Sequence, residues 1–406
     1  MPAGTRAPFI ENDFDKRETA MTQIDNEVSM IRETARRFVR NRLVPLEQQI
    51  ETDDDVSDEL LAQLRSEVAA LGLYGFNLPE SIGGPGLSAA AKIAILEELT
   101  HTSVPLSEVF GHLPLQLSQA NVRQRAELLP GILAGRKIVT YALTEPNAGS
   151  DLGGLRTRAE KTSGGWLLNG AKHFISHAET ADYIIVLAVT DASAPLKSKL
   201  STFIVRRGNP GVVGMTRYRK MGWRGYHLNG FTLENCFVPD EDLLGEVNAG
   251  FLGMMQSINQ DRLLSASRSL GLSARAQAMA CEYAQERKAF GAHLAQHQAI
   301  QFMVADNDVE IEAARMLIRA AAEMIESDDP HAHVAACRAK LYASEMGCRV
   351  TDRVLQIFGG VGYMTELPIE RFYRDARAFR IGEGTSEMQR IQIARAAFAS
   401  GARHGL

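Results

Sequence analysis

One carboxylate of the sequence stands where a general base could work. Glu383 lies between Gly382 and Gly384, near the start of a predicted C-terminal helix. Neither glycine has a side chain, so a substrate carbon can approach the carboxylate closely. A general base needs such access, because it must reach the proton that it removes. Taken alone, a Glu between glycines is more often a solvated loop residue, so its interpretation depends on the segments upstream.

Two upstream segments have the composition of a cofactor site. The segment 141–151 (YALTEPNAGSD) joins an apolar run to a turn of small residues, whose backbone N–H groups can reach phosphate or ring oxygens. The segment 356–363 (QIFGGVGY) follows a long helical pattern. Its glycines are not a dinucleotide fingerprint, because no G-x-G-x-x-G follows a strand and opens a helix here. A nicotinamide cofactor is therefore not indicated.

Together with Glu383, Gly384 and Thr385, these segments resemble the acyl-CoA dehydrogenase family, a group of flavoenzymes. The motifs occur in the family's order, and the likeness runs from about residue 24 to about residue 398. The resemblance implies a mainly α fold with a central β domain. An N-terminal helical domain, a small β-barrel-like domain and a C-terminal four-helix bundle follow one another. FAD would lie between the β domain and the bundle. The resemblance also implies a homotetramer in which the bundle of one subunit completes its neighbour's flavin site.

The resemblance implies a mechanism as well. Glu383 would remove the α-proton of an acyl-CoA thioester while a hydride leaves the β-carbon for flavin N5, giving a trans-2-enoyl-CoA. The Glu383 backbone N–H and a ribityl hydroxyl of FAD would hold the thioester oxygen, where negative charge develops. An electron-transfer flavoprotein would accept the electrons. Three alternatives stay open: an acyl-CoA oxidase that uses dioxygen, a nitroalkane-oxidase-like or monooxygenase member, against which Glu383 counts, and a non-enzymatic scaffold.

The resemblance assigns cofactor contacts to five parts of the chain. These residues are Tyr141, Leu143, Thr144, Gly149, Ser150, Phe174, Ser176, Arg287, Phe290, Gln298, Gln356, Gly360, Thr385 and Glu387. Phe174 stands where the family often has tryptophan and Ser176 where it has threonine, so an aromatic face and a hydroxyl are kept. Arg287 would reach the FAD pyrophosphate of a neighbouring subunit, a contact that suits its planar guanidinium. Without the resemblance, Phe174 reads as a core residue and Arg287 as an exposed helix end.

The resemblance assigns substrate contacts to Ser150, Arg262, Gly382 and Gly384. Some family members carry the base on a helix just before an arginine, and Asp261 stands at that place before Arg262. Because Glu383 is present, we expect it to be the base, with Asp261 in a local salt link. Gly382, where straight-chain enzymes often have tyrosine, predicts a wider pocket. Gly111 would replace a larger residue at the pocket floor, so branched, cyclic or bulky acyl groups become plausible.

The composition excludes several other classes of function. The chain has 406 residues, 45% hydrophobic and 23% charged, which predicts two or three domains. The net charge is −5 and basic runs are short, so nucleic acid is not an expected partner. No apolar stretch has the length of a membrane span, and the N-terminus lacks the apolar segment of a signal peptide.

The cysteines point to a reducing compartment. Cys236, Cys281, Cys337 and Cys348 form no C-x-x-C pair and lack histidines at zinc spacing. They read as buried free thiols, and no metal site is predicted. The expected location is the cytoplasm, or the mitochondrial matrix in a eukaryote.

Periodicity divides the chain into zones that would position these residues. Residues 1–22 read as a flexible arm. Residues 23–139 form a helical domain, with spacings of three and four around Ile31 and Leu64. Residues 140–247 form the β domain, with a hairpin expected at Asn169-Gly170. Residues 248–406 form long helices of the bundle.

Overall fold

A computed structural model of the protein describes residues 26–399, of which the first part is helical. The helices are α1 (residues 26–38), α2 (Glu47–Asp53), α3 (Asp58–Ala70), α4 (Ala89–Leu99), α5 (Val104–Ser107) and α6 (Val122–Leu133). Ile31 lies in α1 and Leu64 in α3, so the helical pattern predicted there is confirmed. The predicted arm over residues 1–22 lies outside the described residues.

Side-chain caps define where several of these helices begin. The Ser57 hydroxyl oxygen accepts the Leu60 N–H at 3.2 Å, and Ser88 accepts the Ala91 N–H at 3.3 Å. Such caps satisfy N–H groups that have no partner within the first turn. The glycine-rich stretch 83–86 separates α3 from α4, as its composition predicts.

One eight-stranded sheet forms the centre of the chain. Its strands are β1 (Val139–Ala142), β2 (Arg158–Thr162), β3 (Gly165–Ser176), β4 (Tyr183–Val189), β5 (Leu200–Arg206), β6 (Val212–Arg217), β7 (Leu228–Pro239) and β8 (Leu243–Leu244). The order is β6-β7-β3-β2-β4-β5-β8, and β1 pairs in parallel with β4. The 12-residue strands β3 and β7 are the longest, and their antiparallel pairing continues from Gly165 to Ser176.

The prediction of a hairpin at Asn169-Gly170 is wrong. Residues 165–176 form the single strand β3, which passes through this dipeptide and pairs with β7 on both sides of it. The register shifts between Leu168 and Gly170, so the glycine marks a bulge rather than a turn. A Cβ on Gly170 would lie 2.4 Å from the Thr157 hydroxyl oxygen, which explains the glycine by close packing. The turn lies instead at Gly164, with φ 74°, between β2 and β3.

Long helices return after the sheet. They are α7 (Gly250–Glu286), α8 (Gln298–Glu326), α9 (Ala332–Phe358), α10 (Ile369–Ala378) and α11 (Ser386–Ala399). A short hairpin of β9 (Lys288–Ala289) and β10 (Ala292–His293) joins α7 to α8. Helices α7, α8 and α9 pack against one another, and α11 packs against α9. This arrangement is the predicted C-terminal bundle.

All four cysteines are free thiols, as predicted. Cys236 and Cys337 are buried as predicted, whereas Cys281 and Cys348 are half-buried. Within residues 26–399, no helix combines the length and apolar character needed to cross a membrane.

Candidate active site

The loop that carries Glu383 is held by α9 and α11. The Lys340 ammonium donates a hydrogen bond to the Gly384 carbonyl oxygen at 2.6 Å. The Gln389 side-chain amide donates to the carbonyl oxygens of Gly384 at 2.9 Å and Glu383 at 3.3 Å. Lys340 and Gln389 are fully buried. Glu383 has φ 54°, a left-handed conformation that a non-glycine residue adopts only when its surroundings impose it. These contacts fix the backbone of Glu383.

Glu383 is exposed to solvent on one side, and we call this opening the recess. Three cations lie near enough to act on its carboxylate. The protein that surrounds its other sides raises the pKa of the carboxyl above its usual value, while Arg268, Lys340 and Arg262 oppose that rise. Burial lowers the pKa of the Lys340 ammonium to about 8. Glu383 is therefore more basic than a solvated glutamate, yet nearby cations favour its ionised form.

Asp261 lies in the same recess, on α7. The protein around it raises the pKa of Asp261 well above its usual value, and the Glu383 charge raises it further. The Ser257 hydroxyl donates to Asp261 Oδ2 at 3.1 Å, and His112 Nδ1 lies 3.7 Å from Asp261 Oδ1. Two neighbouring carboxylates do not ionise independently. Because the cations act mainly on Glu383, we assign the negative charge to Glu383 and the proton to Asp261.

The local salt link expected for Asp261 is not formed with Arg262, its neighbour in sequence; the ionisable partner within 4 Å is His112. Arg262 is buried, and its Nη1 atom lies 3.1 Å from His333 Nδ1 and 3.3 Å from Asn259 Oδ1. Consecutive residues of a helix point in different directions, so Arg262 faces α9 while Asp261 faces His112. Their charges interact only at longer range.

A tight turn places His112 opposite Asp261. Gly111 has φ 66°, and the buried Asn77 side chain bonds both the N–H and the carbonyl oxygen of Leu113, at 3.0 and 2.8 Å. A Cβ on Gly111 would lie 2.6 Å from the Tyr74 ring. The Tyr74 ring therefore fills the space that Gly111 leaves, and the wider pocket floor expected from Gly111 is not found there. Gly382 is different, because a Cβ there would contact only the Ala378 carbonyl oxygen, at 3.7 Å.

A buried ion pair fixes the turn after β1. Lys172 Nζ lies 2.9 Å from Glu145 Oε1 and donates to the carbonyl oxygens of Leu143 at 3.0 Å and Leu187 at 2.8 Å. The Glu145 carboxylate also accepts the Thr157 N–H at 3.0 Å. Burial lowers the pKa of Lys172 to about 8. Since each charged atom has partners, this buried pair can hold the strand and the turn in one arrangement.

The predicted cofactor residues of this turn lie along its open side. Tyr141, Leu143 and Thr144 are half-buried, and Gly149 and Ser150 are exposed. A Cβ built on Gly149 would meet no atom within 4 Å. The Tyr141 hydroxyl oxygen is buried without a hydrogen-bond partner.

An aromatic patch on β3 lies near this turn. Phe174 has φ 58° and is 60% exposed, and its ring centroid lies 5.3 Å from that of Tyr218. The Ser176 hydroxyl accepts a hydrogen bond from the Tyr226 hydroxyl at 2.8 Å. Burial raises the pKa of Tyr226 to about 12, and the Glu383 charge adds to this rise. Tyr226 therefore bonds to Ser176 and lies near enough to Glu383 to be affected by its charge. An exposed aromatic ring such as Phe174 can stack on a flat ligand.

The other predicted cofactor residues lie at a distant end of the bundle. Arg287 follows α7, and Phe290 is 99% exposed at the tip of the β9–β10 hairpin. The Tyr283 ring stacks on Phe358 at 4.3 Å, so the C-terminal ends of α7 and α9 meet. Gln298, Gln356 and Gly360 are exposed at this end. Arg287 lies about 28 Å along α7 from Arg268, at 1.5 Å per residue. The structure thus divides the predicted cofactor residues into two groups.

Thr385 lies in the loop that carries Glu383, and Glu387 lies in the first turn of α11. The Thr385 hydroxyl accepts the Met388 N–H at 3.3 Å, at the start of α11. The Glu387 side chain is 72% exposed and lies 3.7 Å from Arg390.

The two groups of residues fit a large flat cofactor with a phosphate tail. Phe174 offers an exposed ring, the Tyr141 hydroxyl lacks a partner, and exposed Gly149 leaves the turn open. At the distant end, Cβ atoms built on Gly359 and Gly360 would also meet no atom within 4 Å. The exposed Arg287 guanidinium can bind phosphate oxygens there. For a metal, residues 26–399 contain no group of three or more His, Cys, Asp or Glu side chains that could hold one.

Several residues of the site escaped the sequence analysis. Arg268 stands seven residues after Asp261, two turns along α7 and so on the same face, which is a signal that could have been used. The charged Lys340 lies amid small apolar residues of α9, another signal. Gln389 and His112 carried no such signal, because their roles depend on contacts between distant segments.

Comparison with known proteins identifies the family. Family models described as acyl-CoA dehydrogenase N-terminal, middle and C-terminal domains match residues 25–136, 140–236 and 248–398. The caffeyl-CoA reductase-Etf complex subunit CarC of Acetobacterium woodii is 37% identical, with 90% of this chain and 96% of that protein covered. A probable acyl-CoA dehydrogenase, YngJ, of Bacillus subtilis is 35% identical, with 92% and 98% covered.

Solved structures agree with these matches. Butyryl-CoA dehydrogenase from Megasphaera elsdenii has a TM-score of 0.85 and 32% identity, with 91% of this chain and 98% of that chain covered. An acyl-CoA dehydrogenase complexed with FAD from Bacillus anthracis has a TM-score of 0.84 and 28% identity, with 94% and 68% covered. The chain therefore belongs to the acyl-CoA dehydrogenase family, which confirms the predicted fold, the oxidoreductase class and FAD as cofactor.

Proposed function

We propose that the protein oxidises an acyl-CoA thioester to the trans-2-enoyl-CoA, with Glu383 as the base. The observation that carries this proposal is the Glu383 carboxylate at the recess, on a loop whose backbone carbonyl oxygens accept hydrogen bonds from Lys340 and Gln389. Its pKa is raised by the surrounding protein, and Arg268, Lys340 and Arg262 favour its ionised form. A base needs this combination, since it must be both unprotonated and basic enough to remove the proton.

Glu383 removes the α-proton of the thioester. FAD supplies the hydride acceptor for the β-hydrogen when it is bound. An α-proton of a thioester is far less acidic than a carboxylic acid, so the developing negative charge on the thioester oxygen must be stabilised. Within residues 26–399, the hydrogen bonds that fix this loop leave the Glu383 N–H without an acceptor. That N–H can therefore donate to the thioester oxygen.

Other residues position the substrate. Gly382 leaves space beside the reacting carbons, because a Cβ there would have no contact closer than 3.7 Å. Gly384 cannot be replaced without moving Gln389, whose Nε2 atom would lie 2.8 Å from a Cβ. Ser150, exposed on the turn, would lie near the thioester end, and Arg262 would contribute positive charge towards the CoA moiety.

FAD contacts come from two parts of the chain. The flavin ring would lie against Phe174, with Ser176 and the turn from Tyr141 to Ser150 at its edges. Thr385 and Glu387 would add contacts from the catalytic loop. Arg287, Phe290, Gln298, Gln356 and Gly360 lie too far along the bundle to reach the same flavin. They would therefore serve the FAD of a neighbouring subunit, in a homotetramer.

Two features support a neighbour at this end of the bundle. Phe290 is 99% exposed, although burial of a phenylalanine is strongly favourable. Arg287 is exposed at the base of the same hairpin. An aromatic tip and an arginine together are typical of residues that anchor a protein interface. The electron acceptor of this enzyme would be an electron-transfer flavoprotein, and its compartment a reducing one.

The absorption spectrum of the purified protein tests this function. We expect a yellow protein with about one FAD per chain, whose flavin absorbance is bleached by acyl-CoA thioesters without oxygen. A colourless protein that does not take up FAD would favour a scaffold. Steady turnover with dioxygen as the only acceptor would favour an oxidase.

A further inference from the structure

Two polar contacts connect helix α7 to the segment from Glu108 to His112. Asp261 Oδ1 lies 3.7 Å from His112 Nδ1, and the Arg268 guanidinium donates a hydrogen bond to Glu108 Oε1. Asp261 and Arg268 are seven residues apart, so they lie on the same face of α7, about 10 Å from each other along its axis. We call these two contacts the Asp261–His112 bridge and the Arg268–Glu108 bridge.

Glu383 lies near both bridges. Its charge acts on Asp261 and on Arg268, and Arg268 is the cation that acts most strongly on the Glu383 carboxylate. Interactions between charges weaken with distance, so the carboxylate lies close to both of these side chains. Along α7, the recess at Glu383 therefore has one bridge at each end.

The acyl tail is left with the end at Arg268. Tyr141, a proposed FAD contact, lies near enough to Asp261 for their charges to interact, so the flavin side of the recess is the Asp261 end. The buried Lys340 and Gln389 side chains bond to the loop of Glu383 and fill the space behind it. A chain that extends from the reacting carbons therefore runs along α7 towards Arg268.

The Arg268–Glu108 bridge closes that direction. Arg268 is 9% exposed, and it also lines a cavity beside Ser107 and Leu272, one turn further along α7. Among the described residues that line this cavity, Arg268 is shared with the surroundings of Glu383, so its side chain forms a wall between the two spaces. Separating a buried ion pair leaves an uncompensated charge, which an alkyl chain cannot replace.

We propose that the Arg268–Glu108 bridge limits the substrate to short acyl chains, straight or branched. This inference rests on the proposed dehydrogenase function and names its substrate class. An extended octanoyl chain is about as long as the whole distance between the two bridges, part of which the bridging side chains already fill. A butyryl or isobutyryl group fits in this length, and Gly382 leaves room for a branch beside the reacting carbons.

Anaerobic flavin bleaching of the FAD-loaded protein tests the proposal. The short probes are butyryl-CoA and isobutyryl-CoA, and the long probes are octanoyl-CoA and dodecanoyl-CoA, all at one concentration below saturation. We expect one short probe or both to bleach the flavin at least about tenfold faster than either long probe. Equal or faster bleaching by a long probe overturns the inference. Bleaching by none of the four, with FAD bound, contradicts the dehydrogenase function itself.

Glutaryl-CoA is a further probe, because its free carboxylate can compete with Glu108 for Arg268. We expect it to bleach the flavin more slowly than the faster short probe. If glutaryl-CoA is faster than both short probes, Arg268 binds the substrate instead of limiting its length, and the inference is wrong.

A double variant assigns the effect to the bridge. Arg268→Ala with Glu108→Ala joins the recess to the cavity beyond it, so the ratio of octanoyl-CoA to butyryl-CoA rates should rise by at least about tenfold. The ratio is compared because loss of the Arg268 charge changes the rates with both probes. Arg158→Ala with Glu160→Ala, which removes an exposed pair on β2, is the matched control and should keep the wild-type ratio.

An unchanged ratio in the double variant overturns the assignment. If that variant does not fold, Glu108→Ala alone is measured, since Glu108 is the more exposed partner. Its ratio should rise in the same direction, because Arg268 is then no longer fixed across the recess. A wild-type ratio in a folded Glu108→Ala protein also overturns the assignment.

Discussion

The Lys340 ammonium donates a 2.6 Å hydrogen bond to the carbonyl oxygen of Gly384, the residue after the proposed base. One side chain of α9 thus holds the catalytic loop and places a positive charge near the Glu383 carboxylate. The positive charge of Lys340 is lost at high pH, whereas its hydrogen bond to the loop does not require that charge. The two effects can therefore be separated by experiment.

Replacing Lys340 should shift the pH dependence of flavin reduction. Glu383 acts as an anion, and loss of a nearby cation raises its pKa, so the acid limb of the rate profile should move to higher pH in Lys340→Met, by about half a unit or more. The pKa of Lys340 is about 8, so the difference from wild type should be largest below pH 8. Rapid mixing with acyl-CoA over pH 6 to 9 measures it. Lys161→Met, at an exposed pair with Asp240, is the control. An unshifted acid limb would show that Lys340 acts only through its hydrogen bond.

Glu383→Gln should stop proton removal while leaving binding intact. We expect FAD and acyl-CoA to bind normally, but anaerobic bleaching to slow by at least about a hundredfold, the lower end of what a positioned base contributes. Asp261→Asn should slow bleaching by less than about tenfold, because Asp261 already carries a proton. If Asp261→Asn abolishes bleaching and Glu383→Gln does not, the base lies on α7 instead.

Arg287→Ala should weaken FAD retention without unfolding the protein. The guanidinium is exposed, so its loss affects the fold little, but a phosphate contact across a subunit interface would be lost. The FAD content after dialysis and the far-ultraviolet circular dichroism measure the two effects. Arg158→Ala, at an exposed pair with Glu160 on β2, is the matched control. Equal FAD retention in both variants would assign Arg287 to the surface alone.

Lys172→Met should destabilise the β domain strongly. It would leave the buried Glu145 carboxylate without its cation, at a cost of about 3–5 kcal/mol, whereas loss of the exposed pair in Lys161→Met should cost under about 1 kcal/mol. Thermal unfolding at equal protein concentration and FAD saturation compares the two variants. The double change of Lys172→Met with Glu145→Gln should recover part of the loss. Similar unfolding temperatures for both single variants would contradict this role of the buried pair.

The order of elements could be predicted because it depends on local patterns. Spacings of three and four around Ile31 and Leu64 predict helices whatever the rest of the chain does. The hairpin at Asn169-Gly170 failed for the opposite reason. The dipeptide favours a turn locally, but the antiparallel pairing of β3 with β7 imposes an extended strand, and Gly170 serves close packing against Thr157.

The candidate site was only partly predictable. Glu383 could be located because its glycine neighbours are adjacent in sequence. The environment that gives it basicity comes from α7 and α9, through Arg268 and Lys340, and no local pattern specifies which buried charges meet it. The turn at Gly111 was misjudged for the same reason, since the Tyr74 ring that fills its space belongs to another segment.

Helix α7 has 37 residues, about 55 Å, and runs without a break from the β domain to the hairpin of Arg287. It carries Asp261 and Arg268 beside the recess at Glu383. It ends at the surface where we propose that a neighbouring subunit binds. A continuous helix transmits an axial shift or a rotation along its whole length. In the proposed homotetramer, occupation of the recess in one subunit would therefore be coupled through α7 to the cofactor of the next. Tetramer assembly and substrate binding would then be thermodynamically linked through this single helix.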